Sequence, residues 1–285
     1  MGPLLFSSEQ GAFFMNDADK PIDRKHEKLL KTRGQGTGKD YEPFIKVHEI
    51  SSSGESIRIR SASVGRVHHL LSGIELLAFL VFDQFEQTID IREQYPLPIN
   101  DTLDICSRLG ITHPQTHGSL NVVSTDLLVD LSPKEQLAVA VKPSKELSKP
   151  RVLEKLQIEK TYWEARGVDW KIFTEREISD GMRENLLWIQ PYLNPDMTAY
   201  QQLGDSDVQD LLHRLKRHPR TKITKLCAKL DDQYQLEPGF HLGVLRHAVA
   251  HRSIRVPLNK VFHSWIFGDL SLGAKAFDSG VNHAS

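Results

Sequence analysis

The sequence predicts an α/β domain followed by a mostly helical C-terminal module. Apolar residues alternate along short strand-like runs up to about residue 174, helical patterns interrupt these runs, and helical spacing dominates after residue 190. At 285 residues the chain is long enough for two domains. We expect a partly disordered N-terminal extension at 1–32, an α/β domain at 33–178 and a C-terminal domain at 179–285.

The first elements are short and polar. The run from Asp23 to Lys31 predicts a small amphipathic helix, and the glycine-punctuated stretch from Arg33 to Tyr41 predicts a loop. Residues 44–50 and 56–61 alternate like strands, and the serine-rich residues 51–54 between them are typical of a turn. These segments predict a hairpin ahead of the first long helix.

A longer helix and a sheet follow. Ser72 with Glu75 three residues later is a capping-box pattern, so a buried helix is expected to begin there and to continue to Phe85. Apolar spacing predicts one more helix at 151–165. The strand-like runs lie at 88–92, 122–130, 136–142 and 168–174.

The C-terminal part has a different pattern. Residues 190–196 have the composition of a linker, and helical spacing follows at 208–215, 223–230 and 240–250. Residues 253–258 then alternate like a strand that could form a wing. This order of elements is typical of a winged-helix module, although small helical domains of many functions share it.

Composition narrows the class of protein. Hydrophobic residues make up 39% and charged residues 26%, and no run approaches the ~18–20 apolar residues that span a bilayer. The N-terminus lacks the pattern of a signal peptide. Cys106 and Cys227 are far apart and form neither a disulfide framework nor a cysteine zinc site. We expect a cytoplasmic protein that contacts no membrane.

Positive charge is concentrated near the C-terminus. The whole chain has a net charge of −1, but residues 211–263 contain eleven lysines and arginines against three acids, a net charge of +8. Such asymmetry is expected where one part of a protein meets a polyanion. The pattern leaves open whether DNA or an acidic partner protein is bound. The densest basic run contains Arg214, Lys216, Arg217, Arg220, Lys222 and Lys225.

Three residues are candidates for metal-dependent phosphodiester hydrolysis. Glu75 lies in the first turn of the apolar helix, Asp126 lies in a predicted strand, and Lys142 ends the next strand. Acids and a lysine at such positions are typical of PD-(D/E)xK nucleases, in which carboxylates hold Mg²⁺ and the lysine orients the attacking water. The backbone carbonyl of Val141 is a further candidate ligand. Spacing alone is a weak signal, because an Asp and a later Val-Lys occur together by chance in many proteins.

Longer sequence motifs carry more information about the family than this spacing does. Between residues 33 and 178 they recur in order and resemble the TnsA family of transposon endonucleases. These motifs include Gly34-Gln-Gly-Thr-Gly-Lys-Asp-Tyr, Gly65-Arg-Val-His-His-Leu-Leu-Ser, Asp90-Ile-Arg-Glu-Gln-Tyr-Pro-Leu, Ser124-Thr-Asp-Leu-Leu-Val-Asp and Val141-Lys-Pro.

The resemblance implies a restriction-endonuclease-like mixed sheet flanked by helices, joined to a winged-helix C-terminal domain. It implies an endonuclease that uses one or two Mg²⁺ ions to cut the 5′ strands at transposon ends in double-stranded DNA. The implied partners are an integrase-like transposase subunit, TnsB, and an AAA+ ATPase, TnsC. The implied location is the bacterial cytoplasm, at the nucleoid when the protein acts. Glu75, Asp126 and Lys142 fall on the family's catalytic positions. Ala140 departs from the family pattern, which has a polar residue two places before the lysine.

The hypothesis also includes candidate DNA contacts, a position for Glu159 and two alternative functions. Lys39, Arg66 and His68 are candidate contacts to DNA phosphates, and the alternative for His68 is that it packs against or caps the helix. Glu159 is expected on a solvated helix face, and the alternative is that it supports the site from behind the metal-binding residues. One alternative function is a free-standing restriction-type or junction-resolving nuclease. The other is a catalytically dead architectural subunit that bridges DNA and the ATPase, with Ala140 as the trace of an abolished metal site.

Overall fold

The computed structural model describes residues 17–49, 57–194 and 203–273. The helices are α1 (Arg24–Leu30), α2 (Gly73–Gln84), α3 (Ile99–Leu109), α4 (Pro150–Glu164), α5 (Asp180–Ile189), α6 (Asp205–Lys216), α7 (Ile223–Tyr234) and α8 (Phe240–Ala250). The strands are β1 (Ile57–Arg60), β2 (Val67–Leu70), β3 (Asp90–Pro96), β4 (Gln115–Thr116), β5 (Ser119–Leu120), β6 (Ser124–Ser132), β7 (Glu135–Val141), β8 (Asp169–Phe173), β9 (Ile254–Arg255) and β10 (Ser271–Leu272).

A mixed sheet of four strands in the order β3-β6-β7-β8 forms the centre of the N-terminal half. The pairs β3–β6 and β6–β7 are antiparallel, whereas β7 and β8 are parallel and are connected through α4. The helical crossover is needed because two parallel neighbours cannot be joined by a tight turn. The expected mixed sheet flanked by helices is confirmed.

Helices cover both faces of this sheet. On one face Phe79 and Leu80 of α2 pack in the same core cluster as Val129 and Val139. On the other face Ile158 and Trp163 of α4 pack with Leu128 and Ala138. The alternation of β6 and β7 explains this division, since successive side chains of a strand point to opposite faces.

The C-terminal helices continue the packing of the first half. Helix α5 packs against α2, and the buried hydrophobic residues of α6, α7 and α8 belong to the same core cluster as α2. Strands β9 and β10 form an antiparallel ribbon after α8. Three helices followed by a ribbon agree with the order expected for a winged-helix module, and both that assignment and the domain division at residues 178–179 stay predictions.

Two segments differ from the sequence-based expectation. Residues 44–49 are not a strand, because the Glu49 carboxylate pairs with Arg33 and accepts a hydrogen bond from the backbone N–H of Lys46 at 2.9 Å, which stabilises a 3₁₀ turn at Val47–Glu49. The expected strand residue 50 and turn residues 51–54 lie outside the described residues. The linker expected at residues 190–196 is also wrong for its described part, residues 190–194. Gln190–Leu193 form a 3₁₀ turn in which Tyr192 and Leu193 are buried. Residues 195–196 of that linker are again outside the described part.

Helix α3 is an element that the sequence patterns did not predict. Its buried residues are Thr102, Ile105 and Cys106, which make only a narrow buried stripe along the helix. The helix ends at Gly110, whose φ of +65° is the left-handed C-terminal conformation that glycine favours. Among all the described residues, no helix is both long enough and apolar enough to cross a membrane.

Candidate active site

Asp126 and Lys142 form a partly buried ion pair at the ends of neighbouring strands. The Lys142 ammonium donates to Asp126 Oδ2 at 2.8 Å and to the carbonyl of Val141 at 2.9 Å. The same Asp126 oxygen accepts the backbone N–H of Val141 at 2.7 Å. The antiparallel pairing of β6 and β7 brings these groups together, since Leu127 pairs with Val139 in the register.

Glu75 reaches the same place from the first turn of α2. The Ser72 hydroxyl caps this helix by accepting from the backbone N–H of Glu75 at 3.3 Å. In return Glu75 Oε1 accepts from the Ser72 hydroxyl, and Oε2 accepts from the backbone N–H of Leu71, both at 3.0 Å. These contacts fix the carboxylate, whose residue is only 8% exposed. The expected helix start at Ser72 is confirmed.

Gln94 connects the two acids and was not predicted from the sequence. Its Nε2 atom lies 3.5 Å from Glu75 Oε2 and 3.5 Å from Asp126 Oδ1. The Ser124 hydroxyl donates to its Oε1 atom at 3.2 Å. The structure therefore brings Glu75, Asp126 and Lys142 into one cluster, with Gln94 between the two acids.

Glu159 lies near the cluster, and the sequence left a supporting role there open as the less favoured alternative. It was expected on a solvated helix face, but it is 4% exposed, so that expectation is wrong. Burial, followed by the negative charge of Asp126, raises the pKa of Glu159 to about 8, although Lys142 opposes the shift. Helical spacing could have indicated this burial. Glu159 follows Leu156 by three residues and precedes Tyr162 by three, and both neighbours are buried on the same side of the helix.

The electrostatics of the cluster favour an added cation. Burial, and next the charge of Asp126, raise the pKa of Glu75 to about 7. Burial alone would lower the pKa of Lys142, but the charges of Asp126 and Glu159 outweigh it and raise this pKa above its ordinary value. Carboxyl groups that are pushed toward the neutral form regain their charge when a cation enters between them.

The donor set fits a hard cation such as Mg²⁺. The available donors are carboxylate, amide and main-chain carbonyl oxygens, which Mg²⁺ prefers, and it commonly binds only one or two carboxylates and keeps several waters. In the described part of the chain no three His, Cys, Asp or Glu side chains form a ready metal cage, and such a site does not need one. Ala140 is fully buried opposite Ile172 of β8 and adds no ligand.

The structure does not favour two of the predicted DNA contacts, because the Arg66 and His68 side chains are buried against Glu93. Arg66 forms two hydrogen bonds with the Glu93 carboxylate, at 2.9 and 2.5 Å, and His68 Nδ1 lies 2.8 Å from the same carboxylate. Burial alone would raise the pKa of Glu93, but His68 and Arg66 hold it well below its ordinary value. Arg66 and His68 are therefore parts of the core.

The other predicted contact residues lie at the surface. Lys39 is exposed and lines a cavity of about 410 Å³ together with Lys46 and His69. In the basic run Arg214 is already engaged, because it pairs with Asp210 at 2.6 Å and lies 4.1 Å from the ring centre of Tyr234. The exposed members of the run are Lys216, Arg217, Arg220, Lys222 and Lys225.

Comparison with known proteins decides the family. The model of the TnsA-like endonuclease N terminal matches residues 86–175, and the model of the TnsA endonuclease C terminal matches residues 177–258. The chain is also 39% identical over 247 residues to the Transposon Tn7 transposition protein TnsA of Escherichia coli, which covers 86% of this chain and 89% of that protein. The chain belongs to the TnsA family. Asp126 and Lys142 lie inside the N-terminal family match, and Glu75 precedes it.

Proposed function

We propose that the chain is the Mg²⁺-dependent DNA endonuclease subunit of a heteromeric cut-and-paste transposase and that it cleaves the 5′ strands at transposon ends. The convergence of Glu75, Asp126 and Lys142 in one buried cluster carries the proposal, because a phosphodiester hydrolase of this type needs these groups within reach of one another. Membership of the TnsA family supports the class of reaction and the role in transposition.

Each residue of the cluster has a distinct role in this proposal. Glu75 and Asp126 provide the carboxylates that bind the ion, and the Val141 carbonyl adds a neutral oxygen. Lys142, held by Asp126, orients the attacking water and meets the charge that develops on the phosphate. A bound Mg²⁺ ion polarises the scissile phosphate and lowers the pKa of its water.

The proposal includes partners, since cutting one strand per end leaves the other strand to a second nuclease. We propose an integrase-like transposase subunit, TnsB, for that strand and an AAA+ ATPase, TnsC, as the regulator. Among the relatives, the Escherichia coli protein is named as a transposition protein of Tn7, which supports assembly into such a system.

The direct test is a strand-specific nicking assay with end-labelled transposon-end DNA and the assembled transposase. We expect 5′-strand nicks that require Mg²⁺ and disappear with a chelator. The half-saturating Mg²⁺ concentration should rise by up to about tenfold for each pH unit below 7, because Glu75, with a pKa of about 7, must lose its proton to bind the ion.

Other outcomes of this assay contradict the proposal. Nicking that persists without any divalent ion removes the metal from the mechanism. Efficient cutting of plasmid DNA by the isolated chain indicates a free-standing nuclease. Absence of 5′ nicks with full assembly of the complex indicates an architectural subunit.

We also propose that the exposed part of the basic run binds DNA phosphates. Binding to phosphates gives affinity that falls steeply with salt, and the slope of this dependence decreases by about one for each phosphate-binding side chain that is removed. Replacing Lys216 and Arg220 with glutamate should weaken DNA binding and flatten this slope, whereas Lys134→Glu in the exposed β6–β7 turn should leave both unchanged. Unchanged DNA binding, together with an ATPase that no longer binds, would instead assign the run to the partner protein.

A further inference from the structure

Gln94 lies where the proposed function places an ion. Its amide nitrogen is equidistant, at 3.5 Å, from one oxygen of Glu75 and one oxygen of Asp126, and the residue is 4% exposed. These distances are longer than the usual ~2.9 Å of an N–H···O hydrogen bond. The amide therefore acts mainly by placing partial positive charge between two carboxylates, which is the electrostatic effect of a weak cation.

The backbone at Gln94 is bent to bring the side chain there. Its φ of +50° is a left-handed conformation that residues other than glycine adopt only at a cost in free energy. The pairs Glu93–Leu127 and Tyr95–Thr125 continue on either side of it in the β3–β6 ladder. A local irregularity in a buried strand commonly redirects a side chain beside an active site.

The contact with Ser124 allows the amide to turn over. The Ser124 hydroxyl now donates to Gln94 Oε1 at 3.2 Å, and a hydroxyl can accept from an amide N–H equally well. A half-turn of the amide exchanges its oxygen and nitrogen and keeps a hydrogen bond to Ser124. Without a cation this half-turn is unfavourable, because it would direct the amide oxygen toward two carboxylates.

We propose that Gln94 is an amide switch. In the metal-free protein its nitrogen lies between the Glu75 and Asp126 carboxylates and offsets their repulsion, and when an ion binds it turns its oxygen inward as a neutral ligand. This oxygen replaces the one that Ala140 cannot provide. The inference rests on the proposed function, because it needs an ion held by Glu75 and Asp126.

The test is metal binding measured without DNA or catalysis, by isothermal titration calorimetry with Mg²⁺ and with Mn²⁺. Gln94→Leu keeps the size of the side chain and removes the amide, and Gln94→Asn keeps an amide that is too short to reach both acids. We expect both variants to bind Mg²⁺ about ten times more weakly than the wild type. Ser124→Ala removes only the anchor of the amide and should weaken binding less.

A second measurement, by NMR, follows the side-chain amide of Gln94 itself. In a ¹H–¹⁵N spectrum the Gln94 side-chain amide signal, identified by its loss in the Gln94→Leu variant, should move on titration with diamagnetic Mg²⁺. Unfolding must be separated from loss of a ligand, so thermal melting of each variant is measured alongside. Gln94→Asn provides a second fold-compatible variant, since asparagine tolerates left-handed backbone.

The outcomes separate this inference from the proposed function. If Asp126→Ala abolishes metal binding while folded Gln94→Leu and Gln94→Asn bind Mg²⁺ as tightly as the wild type, the switch is wrong and the nuclease proposal stands. A Gln94 amide signal that does not move when Mg²⁺ binds also overturns the switch. If Asp126→Ala binds Mg²⁺ like the wild type, the metal site of the proposed function is wrong.

Discussion

Replacing Asp126 with alanine is expected to reduce 5′-strand nicking by the assembled transposase on the order of a thousandfold or more. The change removes a carboxylate that we propose to bind the ion and also the acceptor that holds the Lys142 ammonium at 2.8 Å. It further leaves the backbone N–H of Val141 without the carboxylate that accepts from it. One substitution is therefore expected to affect both the proposed binding of the ion and the position of the lysine.

Two control variants make the Asp126 result specific. Asp126→Asn keeps the shape of the side chain and removes its charge, so a comparable loss of nicking in this variant assigns the effect to the carboxylate. Glu135→Ala removes an exposed carboxylate from the start of β7 and should nick like the wild type. Assembly with the partner subunits is measured for each variant. Full cleavage by an assembled Asp126→Ala complex would rule out the assignment of this cluster as the active site.

The part of the site that could be predicted depends on local patterns. Ser72 and Glu75 show a helix start, and the alternation of β6 and β7 places Asp126 and Lys142 on neighbouring strands. These patterns use only residues that are close in sequence. The resemblance to the TnsA family then selected these three residues from the other acids and lysines of the chain.

The residues that were missed depend on contacts between distant segments. Gln94 reaches the acids only because its own φ is positive and β3 pairs with β6, and neither is apparent in a single sequence. Arg66 and His68 have polar side chains, and the sequence alone does not show which residue they contact. Both are placed in the core by contact with Glu93, which lies 27 residues after Arg66 and 25 residues after His68.

The secondary-structure elements likewise fall into those that local patterns predict and those that depend on distant contacts. Helices α2 and α4 and the strands of the central sheet have long apolar patterns, so they could be predicted with small errors in their bounds. Helix α3 buries only a narrow stripe, and the turn at Val47–Glu49 depends on a pairing between Glu49 and Arg33. Where tertiary contacts decide the local conformation, a pattern within the segment is not sufficient.

Replacing Glu93 with alanine is expected to destabilise the protein by roughly 3–5 kcal/mol, because it leaves Arg66 without its buried counter-ion and His68 without its carboxylate partner. For a domain of ordinary size this corresponds to a melting temperature about ten degrees lower. Since the pKa of Glu93 is lowered in the folded protein, its stabilising effect is complete above its ordinary pKa of 4.5 and is lost as the pH falls toward the lowered value. Melting curves at pH 7, with exposed Glu135→Ala as the matched carboxylate control, measure the effect.

The same measurement decides between the core role and the DNA role of Arg66. If Arg66 bound DNA, Arg66→Ala would weaken DNA binding and flatten its salt dependence while leaving the melting temperature unchanged. If it neutralises Glu93, as its two hydrogen bonds indicate, Arg66→Ala lowers the melting temperature by an amount similar to Glu93→Ala. Because both changes break one interaction, the double variant should be destabilised by much less than the sum of the two separate effects. Additive effects, or a Glu93→Ala protein that melts like the wild type, would contradict the buried network.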